Sequence, residues 1–327
     1  MIPLSRRHAC ATAMLCAWGL PKANAQHLSP ELQGVPVQRG ENIAVPRSMG
    51  SAPPKTAAPL RAVDCHIHIF DPRWPRPKPQ PGDLWSTVED ELKKRRRTGV
   101  SRCIVVHPSS YGSDNTALLD ALSVLGDSAR GVVTVSPEVS DAQLDALDAK
   151  GARGIRLYLN GGDRHPSPEQ IRAHAERLAH RGWHIEFVVR EQELIAAESL
   201  LAALPCRIVI DHFAHMQQPA GTRQPVGDTV RRLLDKGHAY MKLAAVYSVS
   251  KAPAPGYDDL TPMARTLIGW APERMLLGSD WPHTTVADPA RLPDEALLFD
   301  QLAVWAQNPQ MLRTILVDNP DRLYWYR

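Results

Sequence analysis

The stretch VDCHIHIF, residues 63–70, places two histidines one residue apart inside a short apolar run. Because the side chains of a β-strand alternate between two faces, His66 and His68 are expected to project from the same side. Two imidazoles aimed at one point suit a bound metal ion, a polarised carbonyl group or a purely structural contact. The pair therefore indicates a candidate site, and its chemistry depends on what the rest of the chain brings to it.

Seven further apolar runs follow, separated by stretches with helical periodicity. The eight runs span residues 62–69, 101–107, 130–136, 152–159, 183–189, 206–211, 238–244 and 274–279. Eight strand–helix units are typical of a (β/α)8 barrel, which usually takes about 250 residues. The alternative is an open, doubly wound sheet, but that fold calls for a glycine-rich phosphate-binding loop after the first strand, and none follows Phe70. We therefore expect an α/β protein with a single TIM-barrel domain over residues 60–327.

The residues before the barrel have a different composition. Arg6-Arg7, a mostly apolar stretch over 9–20 and small residues at 23–25 together match the pattern of a signal peptide. We expect residues 1–25 to direct export to the periplasm, by the twin-arginine or the Sec route. Residues 26–59 are rich in Pro, Gly, Ser and Ala, which predicts an irregular N-terminal arm or linker. No later run is long enough to span a bilayer, so we expect no membrane contact after cleavage.

The charge of the chain gives no indication of nucleic-acid binding. With 38 basic and 35 acidic residues, the formal net charge is only +3. A basic run at 93–97 falls in a helical stretch, and we interpret it as a solvated helix face with cations near its C-terminal end. Cys65, Cys103 and Cys206 remain after the expected cleavage, and their spacing matches no zinc motif. We expect buried small side chains, with one disulfide as the alternative.

Polar side chains stand at or near the ends of the expected strands, where the active sites of TIM barrels lie. They are His66, His68, His107, Arg156, Tyr158, Asp211, His212, Lys242, Asp280 and His283, with Ser109, Ser110 and Tyr111 in the loop after the second strand. A single polar residue at such a position is more often structural than catalytic. However, His66, His68, His212 and Asp280 come from three different strands. We expect these four side chains to converge at the mouth of the barrel.

Four motifs, taken in order, make the sequence similar to a known superfamily. DCHIHIF on the first strand, DHFAH on the sixth, LLGSDWPH on the eighth and VDNPDRLYW near the C-terminus resemble the amidohydrolase superfamily. They resemble in particular its amidohydrolase-related (amidohydrolase 2) group, which includes 2-pyrone-4,6-dicarboxylate lactonase and sugar-lactone relatives. By this resemblance His66 and His68 match the first-strand pair, His212 the sixth-strand histidine and Asp280 the eighth-strand aspartate. The implied activity is hydrolysis of a lactone.

The resemblance also bears on metal binding. Metal-dependent members add a Lys or His ligand at the end of the fourth or fifth strand, but these strands read GIRLYLN and WHIEFVVRE here. His184 stands at the beginning of the fifth strand, the opposite end of the barrel. The pattern is similar to the lactonase branch, which works without a required metal, so we expect no cofactor. The ligands of a divalent ion such as zinc or manganese, if one is present, would be His66, His68, His212 and Asp280.

In the lactonase branch, an arginine matching Arg156 helps to bind an anionic substrate. The dicarboxylate lactonase has further arginines in two loops that read NGGDRH and KLAAVYSVS here, with Arg164 as a candidate substitute. The implied substrate is therefore a small lactone with one carboxylate, or a neutral polyol lactone. The alternative for Arg156 is an ion pair with Glu186 inside the barrel. The other expected substrate contacts are Ser109, Ser110, Tyr111, Tyr158 and His283.

In the expected reaction, Asp280 takes a proton from water while His66, His68 and His212 polarise the lactone carbonyl. The histidines must hold protons to do so, and polarisation should therefore weaken as the pH rises through their titration. Three alternatives stay open: a metal-dependent hydrolase or decarboxylase using the same residues, a lactone isomerase, and an exported barrel that binds without turnover. The proline-rich loop 71–83 either covers the mouth or is plain surface.

Overall fold

The computed structural model describes residues 37–76, 84–159 and 165–326. The expected signal peptide, residues 1–25, lies outside these ranges and stays a prediction. The described part of the arm contains two short strands, β1 (Val37–Gln38) and β2 (Ala58–Pro59), which pair antiparallel. Within the described ranges, every helix is too short or too polar to pass through a membrane.

Eight parallel strands form the barrel, and each overlaps one of the eight apolar runs of the sequence. They are β3 (Val63–Ile67), β4 (Arg102–Val106), β5 (Ala129–Val133), β6 (Ala152–Tyr158), β7 (His184–Val188), β8 (Arg207–Ile210), β9 (Ala239–Leu243) and β10 (Met275–Leu277). Strands adjacent in the sheet are consecutive in the chain, from β3 to β10. The expected barrel of parallel strands with surrounding helices is therefore confirmed.

The first and last strands of the barrel meet through the residues that follow them. The Asp280 N–H donates to the His66 carbonyl oxygen at 2.9 Å, and the His68 N–H donates to the Trp281 carbonyl oxygen at 2.9 Å. Ile67 and Trp281 form an isolated parallel bridge at the same place. The barrel is nearly closed, and the seam between β3 and β10 lies at the candidate site.

Helices cover the outside of the barrel, and local sequence signals define their ends. They are α1 (Val88–Thr98), α2 (Thr116–Leu125), α3 (Asp141–Ala149), α4 (Pro168–Arg181), α5 (Glu191–Ala202), α6 (Pro225–Asp235), α7 (Thr261–Trp270), α8 (Glu295–Ala306), α9 (Pro309–Arg313) and α10 (Asn319–Tyr324). Helix α4 is an example: Ser167 and Gln170 form a reciprocal capping box at its start, and Gly182 ends it at φ 70°. Such signals alternate with the apolar runs and produce the strand–helix repeat.

An extra residue in β3 decides which of its side chains face the barrel interior. The pairing of β3 with β4 advances three residues on β3, from Asp64 to Ile67, against two residues on β4. This β-bulge shifts the alternation of side chains by one. Cys65 packs in the cluster inside the barrel, whereas Ile67 packs in the outer core beneath the helices. His66 and His68 therefore both face inward, directly after Cys65.

The interior of the barrel has an apolar layer and a charged layer. The apolar layer consists of Val63, Cys65, Ile104, Val106, Val132, Val209, Tyr240 and Leu276, with Leu323 and Tyr324 from α10. The charged layer includes Arg156, Glu186 and Lys242, which are at most 5% exposed. The three cysteines of the barrel are buried and free, as their interpretation as small apolar side chains predicted.

The basic run at 93–97 is not the solvated helix face that we expected. Lys94 and Arg97 are only 2% and 0% exposed. Lys94 pairs with Asp64 at 2.5 Å, and Arg97 pairs with Asp294 at 2.6 Å. The expectation is wrong because α1 packs between the barrel and the segment before α8, and a buried cation in such a place requires a partner.

Candidate active site

Three donor atoms meet at the seam of the barrel. His66 Nε2 and His68 Nε2 lie 3.3 Å apart, and Asp280 Oδ1 lies 3.4 Å from the first and 3.3 Å from the second. All three side chains are buried. The backbone hydrogen bonds that close the barrel involve the same residues, so the closure of the fold and the geometry of the site depend on each other. The structure thus brings together these three residues, and the ring centroid of the fourth expected residue, His212, lies 4.8 Å from that of His66.

The other ring nitrogens of the two histidines indicate where their protons lie. His68 Nδ1 is 2.8 Å from the Val106 carbonyl oxygen, which only accepts, so this nitrogen carries a proton. His66 Nδ1 is 3.1 Å from Lys242 Nζ, which only donates, and 3.4 Å from Asp211 Oδ1, which only accepts. With Lys242 as the donor to Nδ1, the neutral ring carries its proton on Nε2. The His66 Nε2–H therefore faces two acceptors, the lone pair of His68 Nε2 and the carboxylate of Asp280.

Four charged side chains lie beneath the histidines and compensate one another. Arg156 Nη2 donates to Asp211 Oδ2 at 2.8 Å, and Arg156 Nε is 3.5 Å from Glu186 Oε1. Lys242 donates to Glu186, and its Nζ is 3.6 Å from Asp211 Oδ1. Burial raises the pKa of Glu186 to about 7. The layer therefore supplies positive charge close to His66 without a net excess of either sign.

Arg156 is occupied by partners inside the protein. Its Nη2 and Nε contact Asp211, its Nη1 donates to the His107 carbonyl oxygen at 3.2 Å, and Nη1 is 3.5 Å from the Tyr158 hydroxyl. Every nitrogen of the guanidinium thus has a protein partner. This geometry supports the ion pair inside the barrel. Arg156 also lines the cavity of the site, and its contact with a substrate carboxylate stays a prediction.

The fourth expected residue, His212, begins a turn of unusual backbone conformation. Residues 212–215 all have φ between 52° and 54°, although none of them is glycine. Side-chain-bearing residues adopt this left-handed conformation at a cost of roughly 1–2 kcal/mol each. The turn brings His212 and His215 to the same wall of the site, with ring centroids 5.6 Å apart. The motif DHFAH contains His215, but its spacing alone did not indicate that His215 shares the site.

Burial keeps two of the histidines neutral near pH 7. It lowers the pKa of His212 to about 4, and it lowers the pKa of His66 well below its usual value. His212 Nε2 is 3.4 Å from Arg156 Nη2, which donates, so the neutral ring carries its proton on Nδ1. In this arrangement the two neutral rings already hold N–H groups that can donate, and the expected weakening of polarisation with rising pH stays a prediction.

Tyr247, which the sequence analysis did not single out, holds the carboxylate of Asp280. The Tyr247 hydroxyl donates to Asp280 Oδ2, and Oδ1 is left facing the histidines. Burial acts to raise the pKa of Asp280, but contacts with His212, His68 and His66 hold it well below its usual value. Asp280 is therefore ionised at neutral pH. The one signal for Tyr247 in the sequence is its place in the loop after the seventh barrel strand.

A cavity of about 450 Å³ opens at the C-terminal ends of the strands. Of the expected residues, those that line it are His68, Ser109, Ser110, Arg156, Tyr158, His212 and Asp280. His66 is fully buried beside His68. The floor of the cavity is thus formed by the ionised carboxylate and by the imidazoles of two different strands.

Two expected substrate contacts do not reach this cavity. The Tyr111 hydroxyl donates to the Trp74 carbonyl oxygen at 2.7 Å, and its ring packs 5.8 Å from the Phe70 ring. His283 is fully buried, and its Nε2 is 2.7 Å from Glu295 Oε1. Each side chain is engaged inside the protein, and direct contact with a substrate stays an untested prediction for both.

Two arginines that the sequence analysis did not select do reach the cavity. Arg76 belongs to the loop 71–83, of which residues 71–76 are described, and its guanidinium lies 5.7 Å from the centroid of the Phe70 ring. Arg190 precedes α5 and is exposed, and its guanidinium has no hydrogen bond or ion pair with another described residue. Arg164, the substitute suggested by the sequence, lies outside the described residues.

The donor atoms at the seam also fit a metal ion. Their mutual separations are 3.3–3.4 Å, and a tetrahedral zinc ion with bonds of about 2.0–2.1 Å places its ligands at about this separation. The contact of His68 Nδ1 with a backbone carbonyl is typical of histidines that bind metals. His66, His68 and Asp280 are therefore able to hold one divalent ion.

A second group of ligand atoms, from His66, Asp211 and His212, lies within 4.8 Å of one another. Lys242 already supplies a cation to this group, because its Nζ is 3.1 Å from His66 Nδ1 and 3.6 Å from Asp211 Oδ1. A metal ion there would have to displace or repel a buried ammonium group. The group is therefore less suited to a metal than the first.

A parallel barrel with a His-x-His pair after its first strand and an aspartate after its last defines a barrel enzyme of the amidohydrolase type. The family model described as Amidohydrolase matches residues 63–325, and the chain belongs to this family. The resemblance noted in the sequence is thereby confirmed.

Three relatives extend this result along nearly the whole chain. The chain is 32% identical to 4-sulfomuconolactone hydrolase of Rhizobium radiobacter, over 91% of this chain and 99% of the relative. It is 30% identical to 2-pyrone-4,6-dicarboxylate hydrolase of Comamonas testosteroni, over 83% and 92%. It is 28% identical to D-galactarolactone isomerase of Agrobacterium fabrum, over 85% and 96%.

Proposed function

We propose that this enzyme hydrolyses the ester bond of a small lactone. The observation that carries the proposal is the ionised Asp280, whose Oδ1 lies 3.3–3.4 Å from two imidazoles on the floor of a cavity of about 450 Å³. Such a cavity suits a small ring with its substituents. The two relatives named as a sulfomuconolactone hydrolase and a pyrone-dicarboxylate hydrolase support this class of substrate.

The positions of the protons determine which side chains accept and which donate hydrogen bonds during the reaction. Asp280 Oδ1 and the lone pair of His68 Nε2 are both acceptors, so together they orient a water molecule through its two protons. Asp280 takes one of these protons as the water oxygen attacks the carbonyl carbon, a general-base contribution of typically 10²–10⁴-fold. His66, buried beside them, keeps both acceptors in place through its Nε2–H. The residues expected to act as equivalent donors thus have different roles.

His212 is the donor that faces the developing charge. Its Nδ1 is buried and has no hydrogen-bond partner in the described part of the chain, so its N–H stays unsatisfied until a substrate oxygen reaches it. One donor aimed at an oxyanion is typically worth about 3–4 kcal/mol in a site that excludes water. When the tetrahedral intermediate collapses, the proton held by Asp280 passes to the ring oxygen as the C–O bond breaks. The product is an open-chain hydroxy acid.

We further propose that the reaction requires no metal, as the sequence suggested. Lys242 and Arg156 already balance the carboxylates of Asp211 and Glu186, and the seam offers a metal ion only one carboxylate, that of Asp280. A zinc or manganese ion bound at the seam would supply Lewis-acid polarisation of the carbonyl. Its binding would, however, add two positive charges to a layer that is already compensated.

Elemental analysis of the purified enzyme tests this point. We expect far less than one equivalent of zinc, manganese or iron per chain, and unchanged turnover after dialysis against a chelator. One tightly bound equivalent, together with loss of turnover on chelation and recovery on adding the metal back, would establish the metal-dependent alternative.

We propose that Arg190, rather than Arg156, binds an acidic substituent of the substrate. Arg190 lines the cavity and its guanidinium has no hydrogen bond or ion pair with another described residue, whereas the guanidinium of Arg156 is bonded to Asp211. Arg190→Gln should lower kcat/KM for a carboxylated lactone about 10- to 100-fold and leave a neutral lactone unaffected. Arg172→Gln, at an exposed position on α4, is the control. Equal losses on both lactones would remove Arg190 from substrate recognition.

A panel of small lactones tests the proposed function as a whole. Wild-type enzyme is mixed with neutral sugar lactones and with lactones that carry one or two acidic groups, and proton release is followed in a weak buffer. We expect release with a lactone that carries an acidic group. Absence of any ring opening or rearrangement across the panel would favour the remaining alternative, a barrel that binds without turnover.

Isomerisation is the second candidate, and the D-galactarolactone isomerase relative supports it. A hydroxyl group of the substrate would then take the place of the attacking water. Asp280 would accept the hydroxyl proton and return it to the departing ring oxygen. The product would be a second lactone, and no proton would be released.

A further inference from the structure

The N-terminal arm lies across the loop that joins β10 to α8, residues 281–294. The Arg47 guanidinium donates to three carbonyl oxygens of this loop, those of Val286 at 2.6 Å and of His283 and Pro282 at 3.4 Å each. In return, the loop donates to the arm: Trp281 Nε1 is 2.8 Å from the Pro46 carbonyl oxygen. The arm therefore contacts the first half of this loop through side-chain donors from both partners.

The same short segment of the arm also contacts the end of the loop. The Met49 N–H donates to the Pro293 carbonyl oxygen at 2.9 Å, and the Glu295 N–H donates to Ser48 Oγ at 3.1 Å. We call residues 46–49 the latch segment. Four consecutive residues thus hold the loop at its start, at its middle and at its end.

The backbone conformation of Arg47 indicates that contacts of its side chain hold it in place. Its φ is 60°, in the left-handed region where glycine is favoured and most residues are strained. The guanidinium donates to three carbonyls of the loop, of which that of His283 also accepts the Val286 N–H. A strained residue persists where its surroundings fix it, and here the surroundings are the carbonyls of a loop next to the active site.

The loop, in turn, supports the catalytic carboxylate. Thr284 and Thr285 line the cavity. The ring of His283 packs edge-on against the ring of Tyr247, with centroids 5.5 Å apart. Tyr247 donates to Asp280 Oδ2. A path of direct contacts therefore runs from the latch segment through the loop to the proposed general base.

We propose that Arg47 is a positioning residue: it holds residues 281–286 so that Tyr247 keeps Asp280 aimed at the water and at the histidines. The N-terminal arm is then part of the active-site framework, although the family match begins only at residue 63. The kinetic consequence rests on the proposed function. The structural part, that Arg47 immobilises the loop, does not depend on it.

Hydrogen exchange tests the structural part. Two loop amides serve as reporters: the His283 N–H donates to the Asp280 carbonyl oxygen at 2.8 Å, and the Val286 N–H donates to the His283 carbonyl oxygen at 2.9 Å. Arg47→Met, which keeps the bulk of the side chain, should make both exchange about tenfold faster or more, because it removes a charge-assisted hydrogen bond. The turn at 109–112, on another wall of the cavity, should not change.

Arg96→Met is the matched control for this experiment. Arg96 also ties the arm to the barrel, through Glu41 at 2.8 Å, but it does not touch the loop. In the Arg96→Met variant, the amides of His283 and Val286 should exchange at the wild-type rate. Equal exchange of the loop in both variants would overturn the proposal. If Arg47→Met does not fold, the same exchange experiment is done with Arg47→Lys, which keeps the positive charge but cannot donate to all three carbonyls as the guanidinium does. Loop amides that exchange as in the wild type would again overturn the proposal.

Turnover tests the positioning role. We expect Arg47→Met to lower kcat at least about tenfold, because a displaced general base loses its alignment with the water. Arg96→Met should stay close to the wild type, and Arg47→Lys should recover part of the loss. Faster loop exchange with an unchanged kcat would contradict a positioning role. A wild-type enzyme that opens no lactone would instead contradict the proposed function, and the exchange result would still decide whether Arg47 holds the loop.

Discussion

The two halves of the barrel chain differ in how they use the left-handed backbone conformation. From residue 63 to residue 211, the described positions with positive φ are all glycines: Gly99, Gly112, Gly126, Gly151 and Gly182. From residue 212 to the end of α8, they include side-chain-bearing residues: His212, Phe213, Ala214, His215, Ala245, Tyr257, Asp280 and His283. In the first half, glycine occupies every described position with positive φ, whereas in the second half residues with side chains occupy many of them.

This difference coincides with the active site. His212, His215, Ala245 and Asp280 line the cavity, and His283 supports Tyr247. Left-handed conformations of such residues cost roughly 1–2 kcal/mol each, and they persist where other contacts fix them. In the second half the chain therefore keeps a chemically useful side chain at the expense of local stability. The predictions below test whether the two halves divide in this way between turnover and stability.

The largest effect is expected at Asp280, in the second half. Asp280→Asn keeps the shape of the side chain, and asparagine tolerates the φ of 61° found there. We expect kcat to fall about 10²- to 10⁴-fold, since the general base is lost, while the circular dichroism spectrum stays unchanged. The control is Asp288→Asn, an exposed position in the same loop. Turnover by Asp280→Asn equal to that of the wild type would exclude Asp280 as the base.

A large effect on stability is expected at Arg156, in the first half. Arg156→Met removes the partner of Asp211 and leaves that carboxylate buried, with only Lys242 3.6 Å away as a cation. Breaking a buried ion pair on one side typically costs about 3–5 kcal/mol. Urea unfolding should show a loss of this size. A loss below about 1 kcal/mol, as for an exposed pair, would show that the charged layer is less important to the fold than its burial implies.

A smaller effect is expected at a glycine of the first half. Gly126 has φ 56° and ψ −137°, a region that is nearly restricted to glycine, and a Cβ there would meet no atom within 4 Å. Gly126→Ala should lower the free energy of unfolding by about 1–3 kcal/mol through backbone strain alone, with kcat unchanged.

Gly269→Ala provides a control of opposite sign. Gly269 lies inside α7, and its Cβ position is also open. Alanine at this position should raise the free energy of unfolding by about 0.5–1 kcal/mol, because it stabilises the helix. Equal effects of the two substitutions would mean that backbone conformation does not distinguish these positions.

The fold and part of the site could be predicted because they depend on local patterns. Apolar runs located all eight barrel strands, and the motifs around His66, His68, His212 and Asp280 identified the residues of three strands that meet at the seam. In each case a short stretch of sequence contains both the strand and the side chain that follows it. These features can therefore be predicted without knowing which elements pack against each other.

The remainder depends on which elements pack together. The side chain of Arg156 was expected to bind the substrate, but its guanidinium donates to Asp211, a residue 55 positions further along the chain. Tyr247 and Arg190 stand in loops with no distinctive spacing, and only the assembled barrel brings them to the cavity. Arg47 contacts carbonyl groups more than 230 residues further along the chain. Contacts of this kind leave no trace in the periodicity of a single sequence.

The most direct test of the central claim is the mass of the product formed from a lactone with an acidic substituent. We predict that the wild-type enzyme converts it to a hydroxy acid that is heavier by one water molecule, with one atom of heavy oxygen incorporated when the reaction runs in ¹⁸O-water. The Asp280→Asn variant should bind the lactone but form this product about 10²- to 10⁴-fold more slowly. A product of unchanged mass would establish isomerisation, and full activity of the variant would contradict the assignment of Asp280 as the base.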